Sequence, residues 1–581
     1  MVGKALVPDL GWLKAYSGRK ALKDVIAGLI LAILLVPQAM AYAQLAGLPP
    51  ETGLFAALVP PVLYALFGTS AYVSMGPVAL VSLVVGEAAS GAGSDPAQAA
   101  VIIAVQAGLM LLVLGALGLG RLVNFISEPV LLGFTAAAAF LIAGSQLPTL
   151  LGMEAERAGN LPGAIQAMIA GVDTFRPGTA LIGAAAVVAL LLIGRYAAPL
   201  LWKVGVRPPW RQALAKSLPL AVVVLCALAA IYLVDDVPTV AAIEGGLPTI
   251  PWPLGSVEAW AALLPSSLAV AIIVFVTATA VAKSLAGTDR SHLDPSREAV
   301  ALGAGNIAAA MTGGYAVGAS LSRSALVEDS GAASRMASVV GSLVVLAVLF
   351  FLAPLLAYLP KTALAALVIS AVFGLIKLRD MRDVWRHSRL EAAIIAIAFF
   401  ATLLLGVQLG LAVGALAGLA NFLWFSSVPR VTRIGTDDGG VSFRSVRRDD
   451  VEIDTLPALV VRIDRSIYFG NAAYCEDEIF ARLGKHEGVE HLVLDMRSVN
   501  AIDASGAAML QRLSQRLHLD GVETKIAAAH EPVADALSRH DTSHITFHRT
   551  VGHALEDCGV YEEGETDVRP EDLRDDERAP A

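Results

Sequence analysis

Cysteine is scarce in this chain, with three in 581 residues. Cys226, Cys475 and Cys558 stand too far apart for a disulfide framework or a cysteine metal centre. The ten histidines form no H-E-x-x-H or similar cluster, so no metal and no cofactor is expected. Charge is sparse as well. Asp, Glu, Lys and Arg make up 16% of the residues, where average proteins carry about 25%. No nucleophile–base pair stands in the apolar segments, which argues against a membrane enzyme. The first apolar segment is long and has no small-residue cleavage site, so no cleavable signal peptide is expected.

Apolar residues fill the space that charge leaves. They make up 56% of the chain, and the mean hydropathy is +0.67. Long apolar runs recur, for example at 27–37, 220–234, 338–359 and 392–416. This is the composition of a polytopic membrane protein. About fourteen helical segments fit residues 24–428. Lys14, Arg19, Lys20 and Lys23 crowd the N-terminal stretch, residues 1–23. Later basic clusters are Lys203/Arg207/Arg211/Lys216, Lys283/Arg290/Arg297 and Lys377/Arg379/Arg382/Arg386/Arg389. Residues 217–282 lack Lys and Arg, and carry Asp235, Asp236 and Glu244. Basic loops stay in the cytoplasm, so the N-terminus and the C-terminal region are expected there. Lys361 is the single exception.

Composition changes near residue 428. Residues 429–455 read as a polar linker with an Asp437-Asp438-Gly439-Gly440 turn. Residues 456–555 read as a small α/β domain, with strands at 456–463 and 491–494 and amphipathic helices at 475–483 and 505–517. Residues 556–581 read as an acidic, disordered tail, poor in large apolar groups from Glu562 on.

Four constellations stand out. Pro37 sits within an apolar span and predicts a kink, and Gln38 and Tyr42, four apart, share a helix face. They could line a pocket or simply pack. Ser74-Met75-Gly76-Pro77 fits a helix start, with Ser74 as cap and Pro77 near the first turn. Ser320-Leu321-Ser322-Arg323-Ser324 sets one cation among hydroxyls between apolar segments. A cation at membrane depth is costly unless it meets a cavity, a partner or a ligand. Either Arg323 attracts an anion, or it pairs with Glu328, Asp329 or Glu87. The Ser74 and Ser320 segments each follow two apolar spans in their half, a pattern that points to an inverted-repeat transporter with its site between broken helices. In the C-terminal domain, Asp503-Ala504-Ser505-Gly506 opens a helix, and the plainer reading is an N-cap.

These strings together resemble the SulP sulfate-permease family of anion transporters, the family of prestin and pendrin. The resemblance covers roughly residues 10–555. It lies in Val36 through Pro50, in Ser74–Pro77, and in Glu298 through Arg323 with Gly303, Asn306 and Gly313-Gly314. Residues 456–555 look like the attached STAS domain. The resemblance implies fourteen spans in two inverted seven-span repeats, divided into core and gate domains. It implies a homodimer in the cell's inner membrane, an elevator-like movement and no nucleic-acid partner. It puts a small oxyanion, sulfate first, beside Gln38, Tyr42, Val78, Ser322 and Arg323. Ser74, Gly76, Pro77, Ser320 and Ser324 would form the helix entries.

Two positions depart from the family pattern. Coupled relatives carry an acid where Thr277 stands, so cotransport of a proton or sodium by that route is in doubt. Gly318-Ala319 replaces a common Thr-Gly pair and removes one hydroxyl. Bicarbonate or a C4-dicarboxylate is the alternative substrate, and an anion channel or an anion sensor acting through the STAS domain is the alternative of another class. Asp503 and Ser505 also resemble the phosphorylated loop of anti-sigma-factor antagonists, which would make Ser505 a regulatory position.

Overall fold

The computed structural model describes residues 6–14, 16–91, 95–121, 127–156, 158–206, 210–240, 255–286, 293–436, 443–445 and 455–560. Arg207, Arg290, Glu244, the Asp437–Gly440 turn and the tail from Glu562 lie outside them. The chain forms two compact units, Met1–Leu419 and Ala420–Ala581.

The first unit is helical. A short α1 (Gly11–Lys14) precedes α2 (Gly18–Leu45), which Ser17 caps and which contains Pro37. Two short helices follow, α3 (Pro50–Phe55) and α4 (Pro60–Phe67). Each opens on proline, whose missing N–H costs nothing in a first turn. Strand β1 (Met75–Gly76) then leads into α5 (Ala79–Gly91) and α6 (Pro96–Ala116). Next come α7 (Glu128–Leu151), α8 (Leu161–Ala170), α9 (Pro177–Lys203) and α10 (Trp210–Tyr232). A second run opens with α11 (Val257–Leu285) and α12 (Pro295–Met311). Strand β2 (Gly318–Ala319) leads into α13 (Leu321–Asp329), then α14 (Met336–Phe351) and α15 (Ala353–Leu356). The run closes with α16 (Lys361–Val372), α17 (Leu378–His387), α18 (Arg389–Leu405) and α19 (Val407–Ser427).

Among the described residues, nine helical segments are long and apolar enough to cross a membrane. Others, such as Leu161–Ala170 and Met336–Phe351, are apolar but shorter. Helix α5 is short because it starts only after β1.

Packing sorts these helices into two groups. In the first, α2 packs on α14, α6 on α12, α11 on α6, and α5 and α13 lie against α11 and α2. In the second, α7 packs on α18 and α16, α9 on α10 and α16, and α17 on α18. The groups meet where α2, α5 and α13 face α7, α10 and α16. Partners also exchange between the two runs. Helix α2 packs on α14 as α11 packs on α6, and α2 on α13 as α11 on α5. Small residues allow these close approaches. A Cβ on Gly303 would lie 2.7 Å from the carbonyl oxygen of Gly108, so any side chain there would part α6 from α12.

Buried acids in this unit are satisfied locally. Asp24 accepts from Ala333 N at 2.6 Å, Ser334 N at 3.0 Å and Ser334 Oγ at 2.6 Å, just before α14. Glu298 accepts from Tyr64 Oη at 2.7 Å and from Thr69 N and Oγ1 at 2.7 and 2.5 Å.

The second unit is built on a six-stranded sheet in the order β4-β3-β5-β6-β7-β8. Its strands are β3 (Val431–Gly435), β4 (Arg444–Ser445), β5 (Ala458–Ile463), β6 (His491–Asp495), β7 (Glu523–Ala527) and β8 (Ile545–His548). Strands β5 to β8 run parallel and β3 joins antiparallel. Helices α20 (Ala472–Leu483), α21 (Ala504–Leu519) and α22 (Glu531–Leu537) supply Ile479, Leu513 and Leu537 to the apolar core on one face. Helix α23 (Val551–Glu556) covers the other face through Val551, Ala554 and Leu555. Lys525 is buried on that side and donates to Asp557, and this hydrogen bond holds the Asp557 carboxyl below its ordinary range.

Two expected boundaries shift. Val431–Gly435, read as linker, is a sheet strand whose residues are mostly buried. Its apolar positions pair with β5 across sequence, a contact that local composition does not announce. Cys558, assigned to the tail, is buried against α23, and Val560 packs there too.

Candidate functional site

Two extended segments cross in the first helical group, and each turns directly into a short helix. Strands β1 and β2 pair antiparallel, Met75 with Ala319 and Gly76 with Gly318. Ser320 N donates to Ser74 O at 3.3 Å, and Ser74 N donates to Ser324 Oγ at 2.9 Å. The N-termini of α5 and α13 are thereby brought together. Their first amide groups have no acceptors within their own helices and carry the positive dipole end. Asn306 fixes the β2 side from α12. Its Oδ1 accepts from Val317 N at 2.8 Å, and its Nδ2 donates to Val317 O at 3.0 Å and Leu302 O at 2.8 Å.

The α5 start differs from the capping pattern read in the sequence. Ser74 is not the cap, and Pro77 precedes the helix rather than entering it. Pairing with β2 keeps residues 75–76 extended, so helical bonding begins only where Ser82 N donates to Val78 O at 3.0 Å. At the other entry Ser320 is the cap of α13, and its Oγ accepts from Arg323 N at 3.4 Å.

Arg323 is fully buried at this junction. Its Nη1 donates to Pro77 O at 2.8 Å, which ties α13 to the α5 entry. Its Nε and Nη2 are buried without a hydrogen-bond partner among the described residues. Gly76 leaves space beside them, since a Cβ there would lie 3.4 Å from Nη2 and 3.7 Å from Leu35 Cδ1 of α2. Among the described residues no carboxylate lies within ion-pair distance of Arg323. Glu328 and Asp329 are exposed, and Glu87 accepts instead from Val407 N at 3.4 Å. The structural ion pair considered for Arg323 is therefore absent among these residues.

The other sequence candidates divide by place. Gln38 and Tyr42 are buried on α2, which packs on both α5 and α13, and Gln38 Oε1 has no hydrogen-bond partner among the described residues. The Val78 side chain covers Gly318, whose Cβ would lie 3.2 Å from Val78 Cγ2. Ser322 is exposed and Ser324 is buried. Thr277 turns its hydroxyl back to its own helix, 2.6 Å from Ile273 O. Asp503 caps α21 by accepting from Gly506 N at 2.8 Å, and its second oxygen accepts from Phe469 N at 2.9 Å. Ser505 is exposed beside it. The sequence reading missed three contributors: the Pro77 carbonyl, the Asn306 staple and a 2.9 Å bond between Ser82 Oγ and Tyr315 Oη. An Asn within an apolar helix, named only as part of the family resemblance, was the one available signal.

The model of the Sulfate permease family matches residues 22–398, and that of the STAS domain matches residues 447–554. "Sulfate transporter 4.1, chloroplastic" of Arabidopsis thaliana is 32% identical over 92% of this chain and 79% of its own. "Low affinity sulfate transporter 3" of Stylosanthes hamata is 30% identical over 89% of this chain and 84% of its own. Among solved structures, the murine Solute Carrier 26 family member A9 anion transporter in the inward-facing state superposes with a TM-score of 0.83. It is 21% identical, over 95% of this chain and 93% of that one. The transmembrane domain of a cyanobacterial bicarbonate transporter, BicA, gives 0.58 at 22% identity, over 70% of this chain and 98% of that one. These structures share the fold. On the family match, which covers most of the membrane unit, and the relatives' full-length similarity, this chain belongs to the sulfate permease family of membrane transporters and carries a STAS domain after its helical unit.

Proposed function

We propose that the chain carries a small oxyanion, sulfate first, across the membrane, and holds it where α5 and α13 begin. One observation carries the reading: Arg323 is a buried cation that has, among the described residues, two unpartnered donor groups and no carboxylate beside it. Such a charge is costly to leave without a counter-charge. An oxyanion supplies that charge and accepts from Nη2 and Nε, while helix N-termini replace its water. Gln38 and Tyr42, buried on α2, border the same place in this reading, with Val78 at the entry and the exposed Ser322 next to Arg323 in the chain. Relatives named as sulfate transporters make sulfate the first candidate. Bicarbonate is the rival that the fold of BicA suggests. A C4-dicarboxylate would need a second cation beside Arg323.

The two packing groups support an elevator-like movement, in which the group holding α5 and α13 slides along the group of α7, α10 and α16. The exchange of packing partners between the two runs supports fourteen spans in two inverted seven-span repeats. The N-terminus and the STAS domain are cytoplasmic in this reading, the membrane is the inner membrane, and the chain works as a homodimer. With Thr277 in place of an acid, exchange or facilitated movement is favoured over proton or sodium coupling at that position.

The test is uptake of radiolabelled sulfate into proteoliposomes, with competing bicarbonate, chloride and fumarate, at several proton and sodium gradients. Arg323→Ala is expected to weaken sulfate affinity about 100-fold, the loss of charge-assisted hydrogen bonds. Affinity and rate equal to wild type in that variant would overturn the reading.

A further inference from the structure

Glu87 lies outside the cradle, yet two glycines fit around its carboxyl. It stands on α5, the helix that opens at the cradle. A Cβ on Gly159 would come within 2.7 Å of Glu87 Cγ and 2.8 Å of Cδ, and one on Gly406 within 2.5 Å of Oε1. Gly406 has φ +90°, a region that disfavours any side chain. Glu87 Oε2 accepts from Val407 N at 3.4 Å, the first amide of α19. A carboxylate there complements the positive helix end. Helix α5 belongs to the group with the cradle. Helix α19 belongs to the other, packing on α18 and α7 where Gly410 meets Thr402 and Gly414 meets Ala398 and Val130. One side chain thus reaches from the first group to cap a helix of the second.

The surroundings give this bridge weight. On the face where α2 ends, a cavity of about 440 Å³ opens between the groups. Gln44 and Leu48 line it from the first, and Gln146, Ala158 and Ala164 from the second. Ala158 of this lining precedes Gly159, the glycine that packs on the Glu87 carboxyl. Packing that is absent across a cavity cannot hold the groups together, and a bond beside it can.

We propose that Glu87 is a positioning residue for transport, a latch that keeps the anion-bearing group against the α18–α19 turn and must release before the cradle can open towards that face. The proposal rests on the reading of two groups that move past one another. It gives α5 two jobs: its N-terminus faces the anion and its far end sets which way the site faces.

Spin labels at Ser90→Cys on α5 and Gln166→Cys on α8 report the separation in the full-length protein in liposomes. Both positions are exposed, and all three native cysteines are buried. Without added anion, Glu87→Ala is expected to raise a longer-distance population about fivefold, the scale of one lost helix cap. Gly159→Ala, whose methyl displaces the carboxyl, moves the same way. Glu87→Gln, which keeps an acceptor, moves less. Sulfate affinity stays within about twofold in all three, a change worth only ~0.4 kcal/mol. Distance distributions unchanged in both Glu87→Ala and Gly159→Ala overturn the latch. Because the distances are taken without anion, a failure of the Arg323 cradle leaves them untouched, and the two proposals fail separately.

Discussion

Gly76 stands where a methyl would touch the unpartnered nitrogen of Arg323. At 3.4 Å from Nη2 that methyl fits without moving backbone, so Gly76→Ala should fold normally. It would occupy the space that an anion needs beside Nη2. We expect sulfate affinity to fall about tenfold, one hydrogen bond to a charged group, with the thermal unfolding midpoint unchanged. Equal affinities in wild type and variant, measured by competition in proteoliposomes, would remove Gly76 from the site. At this scale half of the candidate site was legible. A lone cation between apolar runs is costly, so Arg323 stood out, as did the serines around it. Its structural partner did not, because the Pro77 carbonyl is backbone and leaves no mark in the sequence. Glu87 was visible only as one of several acids, since its cradle is made of two glycines 247 positions apart, Gly159 and Gly406.

Between elements, the cradle depends on a two-residue pairing that neither segment can hold alone. Strands β1 and β2 share two residue pairs, far too few for independent stability. Asn306 supplies the missing constraint by bonding both backbone groups of Val317. Asn306→Leu leaves a buried N–H and a buried C=O unpaired, at a cost of about 2–4 kcal/mol. The expected outcome is a lower unfolding midpoint and loss of sulfate transport together. Asn306→Asp keeps the acceptor for Val317 N and should lose less of both. A transport-competent Asn306→Leu would show that the strands hold their register unaided. The helix starts were readable from Pro, Ser and Gly, but their register was not. Ser74 looked like a cap because the sequence cannot reveal that β2 holds residues 75–76 extended. Strand β3 escaped for the same reason, as its partner β5 lies across a polar stretch.

For the whole molecule, apolar composition announced a membrane unit and a composition break announced a second unit, but not which helices pack together. Helices in lipid are apolar all round, so hydrophobic periodicity assigns no inward face. The division into two groups came only from packing, and it makes a mechanical prediction. Residues within one group keep their separation during transport, whereas residues in different groups do not. Ala57 and Ser342 belong to the first group, joined by a 3.0 Å bond from Ser342 Oγ to Ala57 O. Glu87 and Val407 belong to different groups. The partners in Ala57→Cys/Ser342→Cys and in Glu87→Cys/Val407→Cys stand at contact distance, so each pair can be oxidised to a reducible disulfide bridge. Sulfate uptake should survive the first bridge. It should fall to background with the second and return on reduction. Uptake that persists through the second bridge would mean that the anion crosses without relative motion of the groups, as through a channel.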